Sequence, residues 1–485
     1  MNQPYAKAAW LRGRLPGPAA ICALLSVLLF AVQAVMMNTM LAYAGGLSGA
    51  CLLSALFTAV FAFAAFAYAQ LEKPDSGMML FTGLVMAVLM LARTAMLDYQ
   101  TADYLSFLAG WTQVFREGGF HTLAENVGDY NLIYQYLLLI ISKTPIKDLY
   151  LIKYFSVIFD FLLALVMMRA AGLYAGRQAR TPALLVTLAL PTVLIDGACW
   201  GQCDPVYVTF IILSLYMLET DRPYRAAIAL AIAFAFKLQT IFFFPVVLLG
   251  LIHKRYKIRH ALAFFAAYLV TMLPAMAAGR SFMDALAVYA NQSMGQYYDR
   301  LTYNASNLYL FFPMIEFASN QEYTWMRYIE GLNTKATNPY LTFPLMPDLQ
   351  HAALYACVIL TLIVVIYWLI HYKEVTPEMT LALALFFALF LPFVMPKIHE
   401  RYFFMADMLA VLYAVKRADR RFVPVLVVGS SLMSYMPYLT RQRPVDERWL
   451  ALMMLAALIV VSRDLLDGMR KNRAALAAAK GGEAA

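Results

Sequence analysis

The stretch AAICALLSVLLFAVQAVMMNTML runs from Ala19 to Leu41 without a charged side chain. A helix rises 1.5 Å per residue, so about 20 apolar residues cross the ~30 Å hydrocarbon core of a bilayer. Lys7, Arg12 and Arg14 precede the stretch and place its start on the cytoplasmic side. Ala42-Tyr43-Ala44 imitates a signal-peptidase site. The run is longer than the ~7–15 residues of a secretory apolar region, and a second apolar run follows at once. It reads as a retained first helix.

Outward from this helix the pattern repeats. Further apolar runs lie at 48–70, 77–97, 148–172, 181–198, 206–219, 224–236, 240–252, 260–278, 351–371, 378–395, 402–416, 422–439 and 449–462. The fold expected is an all-α, polytopic helical membrane protein with about 12–14 transmembrane helices. Several runs are short, which points to local thinning or to packing around a wet cavity. Composition agrees: 62% of the 485 residues are hydrophobic and 14% charged, with a mean hydropathy of +0.65. A soluble domain is about 45–50% apolar and about 25% charged. A soluble enzyme, a disordered chain and a collagen-like fibre are thereby excluded. Five cysteines, with no zinc spacing or disulfide pattern, add nothing further.

The net charge of +9 is distributed by side. Arg169/Arg177/Arg180, Arg222/Arg225, Lys254/Arg255/Lys257/Arg259, Lys416/Arg417/Arg420/Arg421 and Arg470/Lys471/Arg473 all fall inside under strict alternation. This is the bias that orients a membrane protein, not a nucleic-acid patch. One loop runs against it, with Arg441, Arg443 and Arg448 outside, partly offset by Asp446 and Glu447. Residues 1–76 then form an amino-terminal helix pair and 77–465 a transmembrane core. The core has outer loops at 98–147 and 279–350, and 466–485 is a cytoplasmic tail. Tyr289, Tyr297, Tyr298, Tyr303, Trp325 and Tyr328 mark interfacial helices or ordered segments in the outer loops.

Four polar motifs interrupt the apolar pattern, all at the outer face in this register. The first, Asp98-Tyr-Gln-Thr-Ala-Asp103-Tyr104, opens the first outer loop. Phe107 and Trp111 follow Asp103 at helical spacing. Asp103 is either a helix cap or a general base. In the same loop Asp129-Tyr130-Asn131 stands before a helix starting at Leu132. The second motif is Trp200-Gly-Gln202-Cys-Asp204-Pro205, where Asp204 either caps the next helix or binds a sugar. The third is Phe236-Lys237-Leu-Gln239, between two short apolar runs. Snorkelling explains Lys237 but not Gln239, and an anion site explains both. The fourth is Lys397-Ile-His399-Glu400-Arg401-Tyr402, in which His399 and Arg401 suit a phosphate. Asp160, in mid-span, must be paired or protonated.

In this order the motifs resemble those of bacterial polytopic glycosyltransferases of the GT-C superfamily, related to GPI mannosyltransferases. The similarity runs from about Asp98 to the last spans, and the first two helices precede it as an addition. The resemblance implies an inverting transferase at the non-cytoplasmic face of the plasma membrane. It would move a mannose-like hexose from a polyprenyl-phosphate donor to a lipid-linked or polymeric glycan. The catalytic acid of the first outer loop matches Asp103 better than Asp98, and Asp98 stays a candidate. Lys237, His399 and Arg401 would bind the donor phosphate. Asp129, Tyr130, Trp200, Gln202, Asp204, Gln239 and Glu400 would bind sugar or acceptor. Asp98 and Asp103 are five apart, so no Asp-x-Asp pair supports a divalent metal, which is left open; no other cofactor is expected. A lipid-linked glycan flippase or other transporter is the alternative, although no repeat symmetry is visible.

Overall fold

A computed structural model describes residues 15–294, 301–311 and 346–483. Tyr297, Tyr298, Trp325 and Tyr328, expected to mark the outer surface, lie outside the described residues, as do Lys7, Arg12 and Arg14. Of the described residues, 82% are helical. Its helices are α1 (Pro18–Met40), α2 (Gly46–Glu72), α3 (Ser76–Thr94), α4 (Ala109–Gly118), α5 (Leu132–Ser142), α6 (Asp148–Ala175), α7 (Arg180–Ala189), α8 (Asp204–Glu219) and α9 (Pro223–Phe236). They continue with α10 (Phe244–Ile252), α11 (Ile258–Val270), α12 (Phe282–Met294), α13 (Met346–Ile370), α14 (Thr380–Val394), α15 (Phe404–Lys416), α16 (Phe422–Thr440) and α17 (Glu447–Glu483).

All fourteen apolar runs lie on helices. Among the described residues nine helices are long and apolar enough to cross a membrane, or ten if one bent pair counts as a span. That pair is Arg177–Ala189 with Pro191–Trp200, bent by 50°. Pro191 lacks the N–H that would continue the ladder, so the bend falls there. The runs at 206–219, 224–236, 240–252 and 402–416 are shorter helices. The protein is therefore an all-α, multi-pass membrane protein.

Local sequence sets the ends. Pro18 opens α1 at a position that needs no N–H. Asp75 caps α3 through the Met78 N–H at 2.8 Å, and Asn131 caps α5 through the Leu132 N–H at 2.7 Å. α6 runs for 28 residues and stops at Gly176.

Two compact units can be distinguished. The first comprises Met1–Tyr216, Ala231–Lys237 and Ala267–Tyr289. Here α1 packs on α2 and α3, and α6 packs on α7. Val27, Val32 and Val35 of α1 and Phe63 and Phe66 of α2 remain exposed, as lipid-facing side chains do. The second unit comprises Met217–Leu230, Leu238–Ala266 and Ala290–Ala485. Its centre is α14, buried along its length among α15 and α17. Arg473 on α17 grips Glu374 at 2.8 Å and holds its carboxyl below the usual range.

Candidate active site

Asp103 precedes a π-helical turn, Tyr104–Leu108, that leads into α4. It is not used as a cap. The Tyr104 N–H bonds to the Thr101 hydroxyl instead, and the Asp103 side chain makes no capping bond. Its Oδ2 accepts the Trp200 Nε1–H at 3.0 Å and the Gln202 Nε2–H at 2.8 Å. Two N–H donors from one turn thus fix the orientation of a half-buried carboxylate from another.

That turn is built for close approach. Ile195–Trp200 is a second π-helical turn, a form common at functional sites. Gly201 ends it at φ +77°, where a side chain is strained, and a Cβ there would stand 3.2 Å from the Lys153 stem. The Gln202 N–H then returns to the Asp196 carbonyl at 3.0 Å. Gln202 is almost fully buried, and its Oε1 accepts the Tyr130 hydroxyl at 2.9 Å. Tyr130 stacks on Tyr134 at 4.4 Å, and Trp111 meets its ring edge-on at 5.8 Å. Phe107 extends this series, 5.8 Å from Trp111 and 37% exposed. Gly128 lies so close under Trp111 that a Cβ would come within 2.3 Å of the ring. Asp129 is exposed next to this aromatic row.

Asp98 belongs to another network. Its Oδ1 accepts the Tyr150 hydroxyl at 2.6 Å and the Ala42 N–H at 3.3 Å. It ties the loop after α1 to α6. Tyr104 donates to Asp148 at 2.7 Å, and burial with that carboxylate raises its phenol well above the usual range. It therefore stays a donor.

Lys237 sits at the break after α9. Its Nζ lies 2.7 Å from both carboxylate oxygens of Asp204, at the start of α8. Both side chains are buried, and the ammonium also faces the Tyr207 ring at 5.7 Å. Asp204 thus spends its side chain on Lys237.

The second unit carries the other candidates. Ile398–His399 pairs in parallel with Thr302–Tyr303, and the His399 ring stacks on Tyr303 at 4.7 Å. The Lys397 N–H bonds to the Leu301 carbonyl at 2.8 Å, and Tyr309 donates to the Val394 carbonyl at 2.9 Å. The segment 301–309 therefore holds the motif at 397–402. Glu400 and Arg401 are buried, 3.9 Å apart. Gln239 is buried at the start of a 3₁₀ turn, Leu238–Phe243, and its Oε1 has no partner among the described residues. The same unit contains a cavity of about 600 Å³ walled by Leu230, Ile241, Phe242, Phe264, Leu354 and Val358. Among the described residues no group of three or more His, Cys, Asp or Glu is placed to hold a metal ion.

Several contributors escaped the sequence reading. Arg93 is the partner of Asp160, at 2.8 Å with both side chains fully buried. Lys153 and Ser156 frame the site from α6, and Gly201 frames it from the end of the turn Ile195–Trp200. Lys153 is a charged side chain in a mostly apolar run, and that was the available signal.

Residues 137–396, just over half of the chain, match the family model of glycosyltransferase family 87. No curated protein matches the chain. The matched stretch contains Trp200, Gln202, Asp204, Lys237 and Gln239. Asp98, Asp103, Asp129, Tyr130, His399, Glu400 and Arg401 lie outside it.

Proposed function

The chain belongs to glycosyltransferase family 87, a family of polytopic membrane enzymes of the GT-C type, and from that premise we propose that it moves a mannose-like hexose from a polyprenyl-phosphate donor to a glycan hydroxyl at the outer face of the plasma membrane, with inversion. Membership makes it a glycosyltransferase, which decides against the transporter reading. The observation that carries the proposal is the convergence on Asp103. An indole, an amide and, through that amide, a tyrosine hydroxyl all orient one half-buried carboxylate.

Asp103 takes the proton of the acceptor hydroxyl as that oxygen bonds to the anomeric carbon. The bond from that carbon to the donor phosphate breaks, and the electron pair leaves with the lipid phosphate. General-base assistance of this kind contributes about 10²–10⁴-fold. The phosphate needs cations rather than an acid. Lys237, His399 and Arg401 serve it, with Asp204 setting the position of the Lys237 ammonium. Tyr130 offers a ring face to a sugar, and Asp129, Gln239 and Glu400 bond its hydroxyls, whereas Trp200 and Gln202, almost fully buried and bonded to Asp103, serve by orienting that carboxylate.

The test uses purified protein in liposomes with polyprenyl-phosphate mannose, without nucleotide, and a lipid extract as acceptor. Transfer with inverted anomeric configuration in the product supports the reading. Transfer only from a nucleotide sugar, or with retained configuration, overturns it.

A further inference from the structure

Lys153 is 1% exposed in the second turn of a mostly apolar helix, and its partners are carbonyls. Its ammonium donates to Met96 at 3.0 Å, Leu97 at 2.9 Å and Tyr99 at 2.6 Å. All three of its donors are thereby used. These carbonyls belong to the turn that leaves α3 and reaches Asp103 a few residues later. One helical turn further along α6, Ser156 is also buried and donates to the Gln202 carbonyl at 2.6 Å. Between them lies Gly201, whose missing side chain lets the backbone rest on the Lys153 stem, 3.2 Å from where a Cβ would be. One face of α6 therefore grips both segments that meet at Asp103. The ammonium holds the segment before it, and the lysine stem with the serine hydroxyl holds the turn of Trp200 and Gln202.

A buried lysine is an expensive way to close a turn. Its reach is what the geometry uses, because one head group spans three carbonyls of a non-helical turn. We propose that Lys153 and Ser156 are positioning residues for the transfer reaction. They set the distance and angle at which Trp200 and Gln202 meet Asp103, and so the direction in which that carboxylate faces the acceptor. This rests on Asp103 being the base. A misplacement near 1 Å at a reacting group costs about 10²-fold in rate, so loosening this grip is felt in turnover more than in donor binding.

The test compares Lys153→Met, Lys153→Arg and Ser156→Ala in liposomes, each alone and combined with Asp103→Asn. The probe is radiolabelled polyprenyl-phosphate mannose with a native lipid extract as acceptor. Lys153→Met is expected to lower kcat by about 100-fold with KM for the donor within about threefold. Lys153→Arg, which keeps several donors, restores part of it, and Ser156→Ala falls between. In the Asp103→Asn background none of them removes more than about threefold further, because they act through that carboxylate. Amide hydrogen exchange rises in residues 96–104 and 200–202 of Lys153→Met and not in α14. A folded Lys153→Met with wild-type kcat overturns the proposal, as do losses that multiply with that of Asp103→Asn. If Lys153→Met does not accumulate in the membrane, Ser156→Ala carries the same kinetic and exchange predictions. Wild-type turnover in Asp103→Asn alone overturns the base assignment instead, and the exchange data then still decide whether α6 holds the two segments.

Discussion

Lys237 shows how a buried charge serves two ends. Its ammonium is 2.7 Å from both oxygens of Asp204, and both groups are out of water. Removing one partner of such a pair leaves an uncompensated charge and costs about 3–5 kcal/mol. Lys237→Met is therefore expected to lower thermal stability in detergent, and adding Asp204→Asn to recover most of it. If the ammonium also serves the donor phosphate, donor KM stays raised, by about tenfold, in the recovered double variant. An unchanged KM there moves the phosphate site elsewhere. Both residues were visible in the sequence as polar groups in apolar surroundings. Their pairing was not, because they are 33 residues apart in sequence. Asp160 teaches the same lesson: its need for a partner was legible, and its identity as Arg93, 67 residues away, was not.

At the scale of elements, α6 organises the first unit through one polar face. Tyr150 reaches Asp98, Lys153 the turn after α3, Ser156 the Gln202 carbonyl and Asp160 the Arg93 guanidinium. Arg93 also donates to the Leu188 carbonyl, so the pair anchors α7 as well. Asp160→Ala is expected to cost about 3–5 kcal/mol, measured by thermal unfolding in detergent. Gly201→Ala asks for φ +77° from a residue with a Cβ and presses that atom on Lys153. It is expected to cost more than about 1 kcal/mol and to lower kcat with little change in donor KM. The apolar runs were readable because a span needs an unbroken apolar stretch of membrane-crossing length. The two π-helical turns beside Asp103 and Trp200 were not, since a single wide turn leaves no periodic trace in composition. The 50° bend at Pro191 was not read either, since the apolar run at 181–198 continues through it.

For the whole molecule, the apolar runs sufficed to find every long helix among the described residues, because lipid imposes length and hydropathy on each span. Sidedness rests on the basic clusters. It predicts that a cysteine at Asp129 reacts with an impermeant maleimide on intact cells, and one at Arg222 only after lysis; the reverse pattern contradicts the topology. The site was legible as a set of motifs and not as a geometry, since Asp103 and the turn at 200–202 are joined by side-chain bonds nearly a hundred residues long in sequence. Everything in the catalytic account turns on Asp103. The most direct measurement is single-turnover transfer from polyprenyl-phosphate mannose by Asp103→Asn, which keeps the size of the side chain and removes its basicity. The account predicts a rate about 10²–10⁴-fold below wild type with donor binding preserved. A rate within a few fold of wild type contradicts it.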